Sequence, residues 1–425
     1  MNPQPQITLH APSLLDAVVT LPASKSISNR ALIINALATG GNAGDDLHNL
    51  SDCDDTAVVV NGLRDMPDVI DISAAGTAMR FMTAYLSTRR GETHTLTGTQ
   101  RMKHRPIGVL VEALRRLGAE IEYVDEEGFP PLRITGHNLE GGTVELPGDV
   151  SSQFISALLL VGPVLKQGLR LVLTDRIISR PYIDLTIHTM HDFGAKVEWT
   201  DVNTITAEPY GYQPRSYTIE NDWSASSYWY EMLALSDNPD NRLQLTGLAN
   251  GSRQGDSVVR YMFTMLGVRT VFEPASPTPS SPTTVTLRKT PLAPPRMDYD
   301  FIDQPDLAQT FVVTCALMGI PFRFTGLGSL RIKETDRIDA LKKEMLKLGV
   351  VLTDEDAAIV WNGDRCTPTL EAIDTYDDHR MAMAFAPAAI RFPGLRINNP
   401  QVVTKSYPRF WDDLRDVGFT VEPTE

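Results

Sequence analysis

One pattern recurs along the chain and constrains its fold more than any other feature. An amphipathic stretch of helical periodicity is followed by a glycine and then by a short strand of alternating or β-branched residues. A glycine just past a helix takes the left-handed conformation at little steric cost and so turns the chain into a strand. The pattern is found in EALRRLGAEIEYV, TMHDFGAKVEWT, YMFTMLGVRTVF, EMLKLGVVLTDE and DLRDVGFTVEPT, around Gly118, Gly194, Gly267, Gly349 and Gly418. A weaker sixth copy surrounds Gly62.

The spacing of these copies predicts the size of the repeated unit. Successive copies lie roughly 55 to 80 residues apart, which is longer than a solenoid repeat, so each unit should hold more than one helix and several strands. The 425 residues leave room for about two or three domains. We therefore predict an α/β protein of repeated small units. In addition, PASPTPSSPTT (residues 274–284) predicts an exposed excursion and SDNPDN (residues 236–241) predicts a turn.

Charge and composition exclude several classes of partner. The net charge of −14 gives no broad positive field for nucleic acid or anionic lipid, so any anion must be bound by local clusters of cations. The longest apolar stretches are too short for the roughly 20 residues that cross a bilayer, and we expect no membrane span. MNPQPQITLH carries no secretion signal, and three scattered cysteines suit a reducing compartment. We expect a cytoplasmic protein.

Cations stand at several predicted helix starts, where the helix dipole opposes positive charge. Pro106 predicts a helix start just after Arg105, and Lys333 and Arg337 would repel one another at i, i+4 spacing on one helix. Each such cation costs roughly 0.3 to 1 kcal/mol, unless small ligands with several negative charges bind there. The five starts are marked by Lys25 with Arg30, by Arg105, by Lys333 with Arg337, by Arg380 and by Lys405. Together they predict an anion pocket that repels itself without a ligand.

Two further helix starts could bind an anion without using cations. GDVSSQFISALLL offers Ser151, Ser152 and Gln153 ahead of an apolar helix. SAAGTAMRFMTAYL offers Gly76 and Thr77, where backbone N–H groups can approach a ligand closely. Each segment taken alone also fits an ordinary N-cap.

Eight motifs together resemble those of one family in the same order and over nearly the whole chain. They are LPASKSISNRALI, AAGTAMR, RMKHRPIG, VSSQF, SRPYID, RIKETDRI, DDHRMAMAFA and VTKSYP. The family is that of the EPSP synthases, the 3-phosphoshikimate 1-carboxyvinyltransferases. The resemblance implies transfer of the enolpyruvyl group of phosphoenolpyruvate to the 5-hydroxyl of shikimate 3-phosphate, with release of phosphate and without metal or organic cofactor.

The resemblance also implies a role for individual residues. Asp306 would take the proton of the attacking hydroxyl, Glu334 would serve the methylene carbon, and Lys333 would assist proton transfer. The residues implied to bind phosphoenolpyruvate are Lys25, Arg105, Arg337, Arg380 and Lys405. Gly76 is a further substrate-binding residue, where a ligand can approach the backbone closely. Those implied to bind shikimate 3-phosphate are Ser26, Arg30, Ser151, Ser152, Gln153, Ser179, Tyr182, Asp306, Ser329 and Lys333. Ala74 stands where the family usually has Asn and removes one polar contact near the phosphoenolpyruvate site. Ser329 also replaces a usual Asn, which calls the family's hydrogen bond to shikimate 3-phosphate at this position into question.

The family fold agrees with the repeat. It implies an inverted α/β prism of two lobes, each built from three βαβαββ units, with the chain crossing near Thr20 and Glu220. An N-terminal lobe (residues 20–219) would hold shikimate 3-phosphate, and a C-terminal lobe (residues 1–19 and 220–425) would complete the phosphoenolpyruvate site. A ligand that touches both lobes should draw them together and exclude water.

Two alternative functions remain open at this point. A sister enzyme transfers enolpyruvyl to UDP-N-acetylglucosamine, but it usually carries a cysteine before RPIG, and GTQRMKHRPIG has none. A non-catalytic anion-binding protein would explain the cations but not the acids among them. His188 and His191 have i, i+3 spacing without further ligands nearby, which favours helix-surface residues over a metal site. We expect a monomer.

Overall fold

The computed structural model describes residues 5–41, 44–273 and 283–424, and its contacts divide the chain into two compact units. The split unit combines Met1–Pro22 with Glu220–Glu425, and the continuous unit is Ala23–Ile219. Each unit has its own hydrophobic core.

The described residues form helices and strands in a fixed order along the chain. In order they are β1 (Gln6–His10), β2 (Asp16–Thr20), α1 (Lys25–Thr39), β3 (Leu47–His48), α2 (Asp54–Asp65), β4 (Val69–Asp71), α3 (Gly76–Ser87), β5 (Thr93–Thr97), α4 (Gln100–Lys103), α5 (Gly108–Arg116), β6 (Glu120–Tyr123), β7 (Leu132–Thr135), β8 (Gly142–Pro147), α6 (Ser152–Val161), β9 (Leu169–Thr174), α7 (Arg180–Asp192), β10 (Val197–Asp201), β11 (Thr204–Ala207), β12 (Tyr217–Thr218), α8 (Trp223–Leu235), β13 (Arg242–Leu248), α9 (Val259–Met265), β14 (Val268–Phe272), β15 (Thr283–Lys289), β16 (Met297–Asp300), α10 (Ala308–Met318), β17 (Phe322–Thr325), α11 (Arg337–Lys347), β18 (Thr353–Glu355), β19 (Ala358–Trp361), α12 (His379–Phe385), β20 (Leu395–Asn398), α13 (Phe410–Asp416) and β21 (Thr420–Pro423). The 3-10 helices are Gly162–Val164, Gly255–Val258, Pro305–Leu307, Gly328–Ile332, Ala386–Ile390 and Pro400–Lys405.

Four sheets share one topology. Their strand orders are β4-β5-β7-β6 and β8-β9-β11-β10 in the continuous unit, and β2-β13-β15-β14 and β16-β17-β19-β18 in the split unit. In each sheet the first two strands are parallel and the remaining neighbours are antiparallel. The described residues form one further sheet in each unit, β12-β3 and β20-β1-β21. The predicted α/β class with repeated units is therefore confirmed.

The glycine pattern that predicted these units is confirmed at all five strong copies. Gly118, Gly194, Gly267, Gly349 and Gly418 each follow a helix, precede a strand and have positive φ. The sixth copy differs, because Gly62 lies inside α2, and the helix ends at Asp65 with Met66 as its C-cap at φ 38°. Gly62 instead allows a close approach, since a Cβ there would lie 3.3 Å from side-chain atoms of Ile70 and Met82.

Gly267 gives a prediction about stability. A Cβ at this position would lie 2.6 Å from the carbonyl oxygen of Leu292 and 2.7 Å from that of Thr290, whereas Gly319, also left-handed at a helix end, has open space. We expect Gly319→Ala to cost about 1 kcal/mol of unfolding free energy and Gly267→Ala to cost more than about 2 kcal/mol. Urea unfolding of both variants measures the difference. Equal losses of unfolding free energy would show that the close approach to the two carbonyl oxygens does not affect stability.

Helices buried on nearly all sides carry the predicted site residues at or beside their first turns. α3 and α6 run through the continuous core, and α10 and α12 through the split core. Such helices are anchored by packing on every face. Their N-terminal ends are therefore rigid supports for the charged groups described below.

Two loop predictions have different outcomes. Residues 236–241 form the predicted turn, in which the side chains of Ser236 and Asn238 accept hydrogen bonds from nearby backbone N–H groups. In the Pro/Ser/Thr stretch, residues 274–282 lie outside the described residues, and Thr283 and Thr284 begin β15. No helix in the part of the chain that the structure describes is both long and apolar enough to cross a membrane.

Candidate active site

Lys25 begins α1, directly after the N-cap Ser24. Its Nζ donates a hydrogen bond to Oδ2 of Asp55 at 2.9 Å, and Asp55 is a buried residue in the first turn of α2. The prediction of a cation at this helix start is confirmed, but the cation has a carboxylate partner that the sequence analysis missed.

Arg30 lies in the second turn of α1 and is buried rather than placed at the helix start. It donates to the hydroxyl of Thr186 at 2.7 Å and to the carbonyl oxygens of Ser26 at 2.8 Å and Tyr182 at 3.2 Å. Burial lowers the pKa of its guanidinium to about 10. Arg30 therefore braces α1 against α7 and restrains two predicted substrate-binding residues through their carbonyl groups.

Arg105 does not begin the helix that Pro106 was expected to start, because α5 begins at Gly108. Its guanidinium lies instead against Gly76, the first residue of α3, where a Cβ would be only 2.5 Å from Nη1. Among the residues that the structure describes, Arg105 has no carboxylate partner. A cation without an acidic partner thus lies at the N-terminus of a buried helix.

Serine and glutamine side chains lie at the starts of α6 and α7. Ser151 is the N-cap of α6 and accepts from the backbone N–H of Gln153 at 3.4 Å. The amide Nε2 of Gln153 donates to the hydroxyl of Thr77 on α3 at 3.0 Å. Ser152 is buried, and Ser179 precedes α7 with φ 53°. The N-terminal ends of α3 and α6 are therefore joined directly.

Arg337 is the centre of the charged site in the split unit. It is 1% exposed and donates to Oδ2 and Oδ1 of Asp378 at 2.6 and 3.3 Å. It also contacts Oδ1 of Asp306 at 3.3 Å and Oε2 of Glu334 at 3.0 Å. Burial alone would lower the pKa of Arg337, but the three carboxylates outweigh burial and raise the pKa above its ordinary value. Arg337 is therefore permanently charged and held on several sides.

Two more cations complete this cluster. Nη2 of Arg380 donates to Oδ2 of Asp306 at 2.8 Å, and Nζ of Lys405 donates to Oε1 of Glu334 at 2.8 Å. We call the resulting set the ion-pair network; it consists of Asp306, Glu334, Arg337, Asp378, Arg380 and Lys405. The expectation of a self-repelling cluster of cations is wrong here, because three carboxylates balance the three cations.

The local structure also corrects two helix starts. Lys333 and Arg337 do not share a helix, because Lys333 follows the 3-10 helix Gly328–Ile332 while Asp336 caps the start of α11 at Arg337. Lys405 ends the 3-10 helix Pro400–Lys405, and the following helix begins only at Phe410. The charges of Lys333 and Lys405 therefore do not stand at helix starts, whereas Arg337 does begin α11. Ser329 is half-buried within Gly328–Ile332.

Sequence reasoning missed four residues that support the site. Asp378 caps α12 by accepting from the N–H of Arg380, and an aspartate before an apolar run is a recognisable N-cap signal. The hydroxyl of Tyr228 lies 3.4 Å from Nη1 of Arg380, and burial raises the pKa of Tyr228 to about 12. Asp55 and Asp256 carried no such signal, because their contacts join distant parts of the sequence.

Asp256 gives a prediction about pH. Burial, and then the negative charge of Asp306, raise the pKa of Asp256 to about 7, although Ser224 donates its hydroxyl to Asp256 and Arg380 lies nearby. A carboxyl whose pKa is raised on folding favours the folded state at low pH, and this contribution is lost as the pH rises towards 7. Asp256→Asn should match the wild type in unfolding free energy near pH 4 and exceed it by a few kcal/mol at pH 8. Urea unfolding of both proteins across this pH range tests the prediction. A difference in unfolding free energy that stays constant with pH would contradict it.

The histidines and cysteines form no metal centre in the described ranges, where no three His, Cys, Asp or Glu side chains make a group that could hold an ion. The rings of His188 and His191 lie 6.4 Å apart in an edge-to-face arrangement. All three cysteines have free thiols, and none lies in Gln100–Lys103.

A family model and named relatives of this chain indicate the same family. The family model described as EPSP synthase (3-phosphoshikimate 1-carboxyvinyltransferase) matches residues 9–67 and 63–414. A relative from Bacteroides fragilis named 3-phosphoshikimate 1-carboxyvinyltransferase is 57% identical over 420 residues, covering 98% of this chain and 99% of the relative. One of the same name from Aliivibrio fischeri is 34% identical over 443 residues, covering 97% of this chain and 99% of the relative.

Solved structures with the same fold are more distant in sequence. An EPSP synthase from Acinetobacter baumannii has a TM-score of 0.77 at 21% identity, covering 99% of this chain and all of that one. The enolpyruvyl transferase NikO from Streptomyces tendae has a TM-score of 0.70 at 16% identity, covering 99% of both chains. At these sequence identities the two similarities show a shared fold and no more.

Proposed function

This chain belongs to the EPSP synthase (3-phosphoshikimate 1-carboxyvinyltransferase) family, and from that membership we propose how its charged residues act. It is a transferase of the shikimate pathway, which leads to the aromatic amino acids. It moves the enolpyruvyl group of phosphoenolpyruvate to the 5-hydroxyl of shikimate 3-phosphate and releases phosphate. The 57% identity to the Bacteroides fragilis relative over nearly both chains carries this conclusion.

Phosphoenolpyruvate is bound through its phosphate and carboxylate by cations of both units. Arg105 lies beside Gly76 at the N-terminus of α3, and its guanidinium has no acidic partner among the described residues. Both the guanidinium and the helix N-terminus favour an anion. Lys25 adds a cation from α1, while Arg337, Arg380 and Lys405 act from the split unit. The substrate's anions then compete with protein carboxylates for N–H donors of the ion-pair network.

Shikimate 3-phosphate is bound chiefly by hydroxyl, amide and cationic groups. In the continuous unit these are Ser26, Ser151, Ser152, Gln153, Ser179 and Tyr182, and in the split unit Asp306, Ser329 and Lys333. Arg30 acts by holding the backbone of Ser26 and Tyr182 in place, since it donates to both carbonyl groups. The continuous unit thus serves mainly the shikimate 3-phosphate side, and the split unit completes the phosphoenolpyruvate side.

Proton transfer is assigned to two carboxylates of the ion-pair network. In the addition step the 5-hydroxyl oxygen attacks C2 of phosphoenolpyruvate, and the Asp306 carboxylate takes the hydroxyl proton. Glu334 acts in its protonated form, once the substrate's anions have taken over the N–H donors of Arg337 and Lys405, and it donates its proton to the methylene carbon. In the elimination step Glu334 takes a proton back from that methyl carbon as phosphate leaves, which restores the enol double bond, and the leaving phosphate accepts the proton held by Asp306. Arg337 contacts both carboxylates, so it holds the two groups in a defined relation, and Lys333 assists from the preceding residue.

The protein works as a cytoplasmic monomer in this proposal. Three free thiols, two of them buried, suit a reducing compartment. Size-exclusion chromatography with light scattering measures the mass, and a species of twice the chain mass at micromolar concentration would contradict the monomer.

A phosphate-release assay tests the reaction. Phosphate should appear from phosphoenolpyruvate when shikimate 3-phosphate is present, and not with phosphoenolpyruvate alone or with UDP-N-acetylglucosamine as acceptor. Asp306→Asn keeps the size of the side chain and removes the base, so it should slow release at least a hundredfold. Release that does not depend on shikimate 3-phosphate would contradict the proposed transfer, and no release at all would favour a binding protein.

A further inference from the structure

The chain just before α12 is attached to one side of α11 at two points. Arg337 and Glu344 are seven residues apart on α11, which is about two turns, so their side chains lie on the same face of the helix. Asp378 accepts the hydrogen bonds of Arg337. Glu344 accepts hydrogen bonds from the Tyr376 hydroxyl at 2.6 Å and from the Asp374 backbone N–H at 2.9 Å. The chain before α12 is therefore fixed to α11 near its beginning and at its end.

The backbone between these attachment points is strained. We call residues 374–378 the lead-in segment. Within it, Tyr376 has φ 53° and Asp377 has φ 55°, so two successive residues that are not glycine are left-handed. This conformation is unfavourable for a residue with a side chain, above all for one as bulky as tyrosine. The lead-in segment keeps it because the surrounding structure holds it there.

Glu344 has the contacts needed to hold the lead-in segment. It is fully buried, and its Oε2 also lies 2.7 Å from Nζ of Lys347, which donates in turn to the side chain of Asp374 and to the carbonyl oxygen of Ala372. A phenol, an ammonium and a backbone N–H thus converge on one carboxylate. Burial, and then the hydrogen bond to Glu344, raise the pKa of Tyr376, so its hydroxyl stays a donor at neutral pH.

The lead-in segment positions the carboxylate of Asp378. This residue directly follows the two left-handed residues and is fully buried. It accepts from Arg337 and, as the N-cap of α12, from the backbone N–H of Arg380 at 2.9 Å. Its own N–H donates to the carbonyl oxygen of Thr375 at 2.8 Å, which closes a turn around the left-handed residues. The conformation of the turn therefore sets the place of a carboxylate that two cations of the ion-pair network share.

We propose that Glu344 is a positioning residue for the phosphoenolpyruvate site, which acts through the left-handed turn before Asp378. Glu344 keeps this turn in a conformation that a free chain would not keep. The carboxylate of Asp378 is then held where Arg337 and Arg380 both reach it. The inference rests on the proposed function, in which these two arginines bind phosphoenolpyruvate.

Tyr376→Phe tests the proposal with a small change, because it removes only the hydroxyl that donates to Glu344. At saturating shikimate 3-phosphate, its KM for phosphoenolpyruvate should rise about three- to tenfold. Its kcat should stay within about threefold, because Arg337 keeps its contacts with Asp306 and Glu334. A merely structural role would instead lower the amount of active enzyme and leave the KM unchanged.

Hydrogen exchange gives a readout that does not depend on catalysis. The backbone N–H groups of Asp374, Asp378 and Arg380 are hydrogen-bonded within or beside the lead-in segment. In full-length Tyr376→Phe, the peptide that spans them should exchange roughly tenfold faster than in the wild type. Glu344→Gln leaves one acceptor oxygen for three donors, so its exchange rate and its KM should both rise further.

Tyr230→Phe is the matched control. The Tyr230 hydroxyl is also hydrogen-bonded inside the split unit, at 2.7 Å from the hydroxyl of Thr270, and its ring packs against Phe263 rather than against the ion-pair network. This variant should lower the urea midpoint and leave the KM for phosphoenolpyruvate unchanged. The proposal is overturned if Tyr376→Phe raises the KM no more than the control does, if only kcat falls, or if exchange in the lead-in segment stays as in the wild type.

Arg380→Ala in the same assay separates this proposal from the proposed function. If Arg380→Ala raises the KM for phosphoenolpyruvate but Tyr376→Phe does not, only the positioning role of Glu344 is wrong. If Arg380→Ala leaves the KM unchanged, the binding role of the arginine is wrong, and the positioning role falls with it.

Discussion

Arg337→Met should abolish enolpyruvyl transfer and lower the unfolding free energy by about 3 to 5 kcal/mol. The physical reason is the burial of its partners, since Asp378 is fully buried and would lose two charge-assisted hydrogen bonds. Asp306 and Glu334 would also lose the group that joins them. Urea unfolding and the phosphate-release assay measure the two effects.

Arg331→Met is the matched control for this variant. Arg331 is an arginine six residues earlier that pairs with Asp336 and Asp354 at a partly exposed position. Because exposed ion pairs contribute little, its removal should cost less than about 1 kcal/mol. Equal stability losses for the two variants would contradict the central role given to the buried pair of Arg337 and Asp378.

Lys25→Met should lower kcat/KM by roughly a thousandfold, because it removes a cation from the developing phosphate charge. The sequence alone predicts that this change leaves stability unchanged or raises it, since it takes a cation from a helix N-terminus. The structure reverses that expectation, because Asp55 is buried and would lose its ionic partner. The unfolding free energy should fall by about 1 to 3 kcal/mol.

The double variant Lys25→Met/Asp55→Asn separates the two roles of Lys25. It removes the carboxylate that Lys25→Met leaves unpaired, so stability should recover towards the wild type while activity stays lost. If the double variant is no more stable than Lys25→Met, then the pair with Asp55 does not explain the loss. If Lys25→Met alone keeps activity within tenfold, then Lys25 does not bind the transferred group.

The sequence predicted the elements of the fold well because their determinants are local. A helix that ends in a glycine and continues into a strand is encoded within about fifteen residues, as around Gly267 and Gly418. Gly62 was misinterpreted for a local reason as well. Its small size serves packing against Ile70 and Met82, and Met66 makes the turn instead.

The charged sites were predicted only in part, because the two partners of the main buried ion pairs lie far apart in the sequence. Lys25 and Asp55 are 30 residues apart, and Arg337 and Asp378 are 41 residues apart. The cations were found from their positions near helix starts, but no local pattern links them to these carboxylates. For the same reason the sequence placed Arg105 at the start of the helix after Pro106. In the structure its guanidinium contacts Gly76, the first residue of α3.

The most direct test of the account compares one cation from each unit. The kcat/KM for phosphoenolpyruvate at saturating shikimate 3-phosphate should fall at least a hundredfold in both Arg105→Ala and Arg380→Ala. The equilibrium affinity of both variants for shikimate 3-phosphate alone should stay within threefold of the wild type. If either variant keeps its kcat/KM for phosphoenolpyruvate within threefold, then the two sets of cations do not act on the same substrate, and the account is wrong.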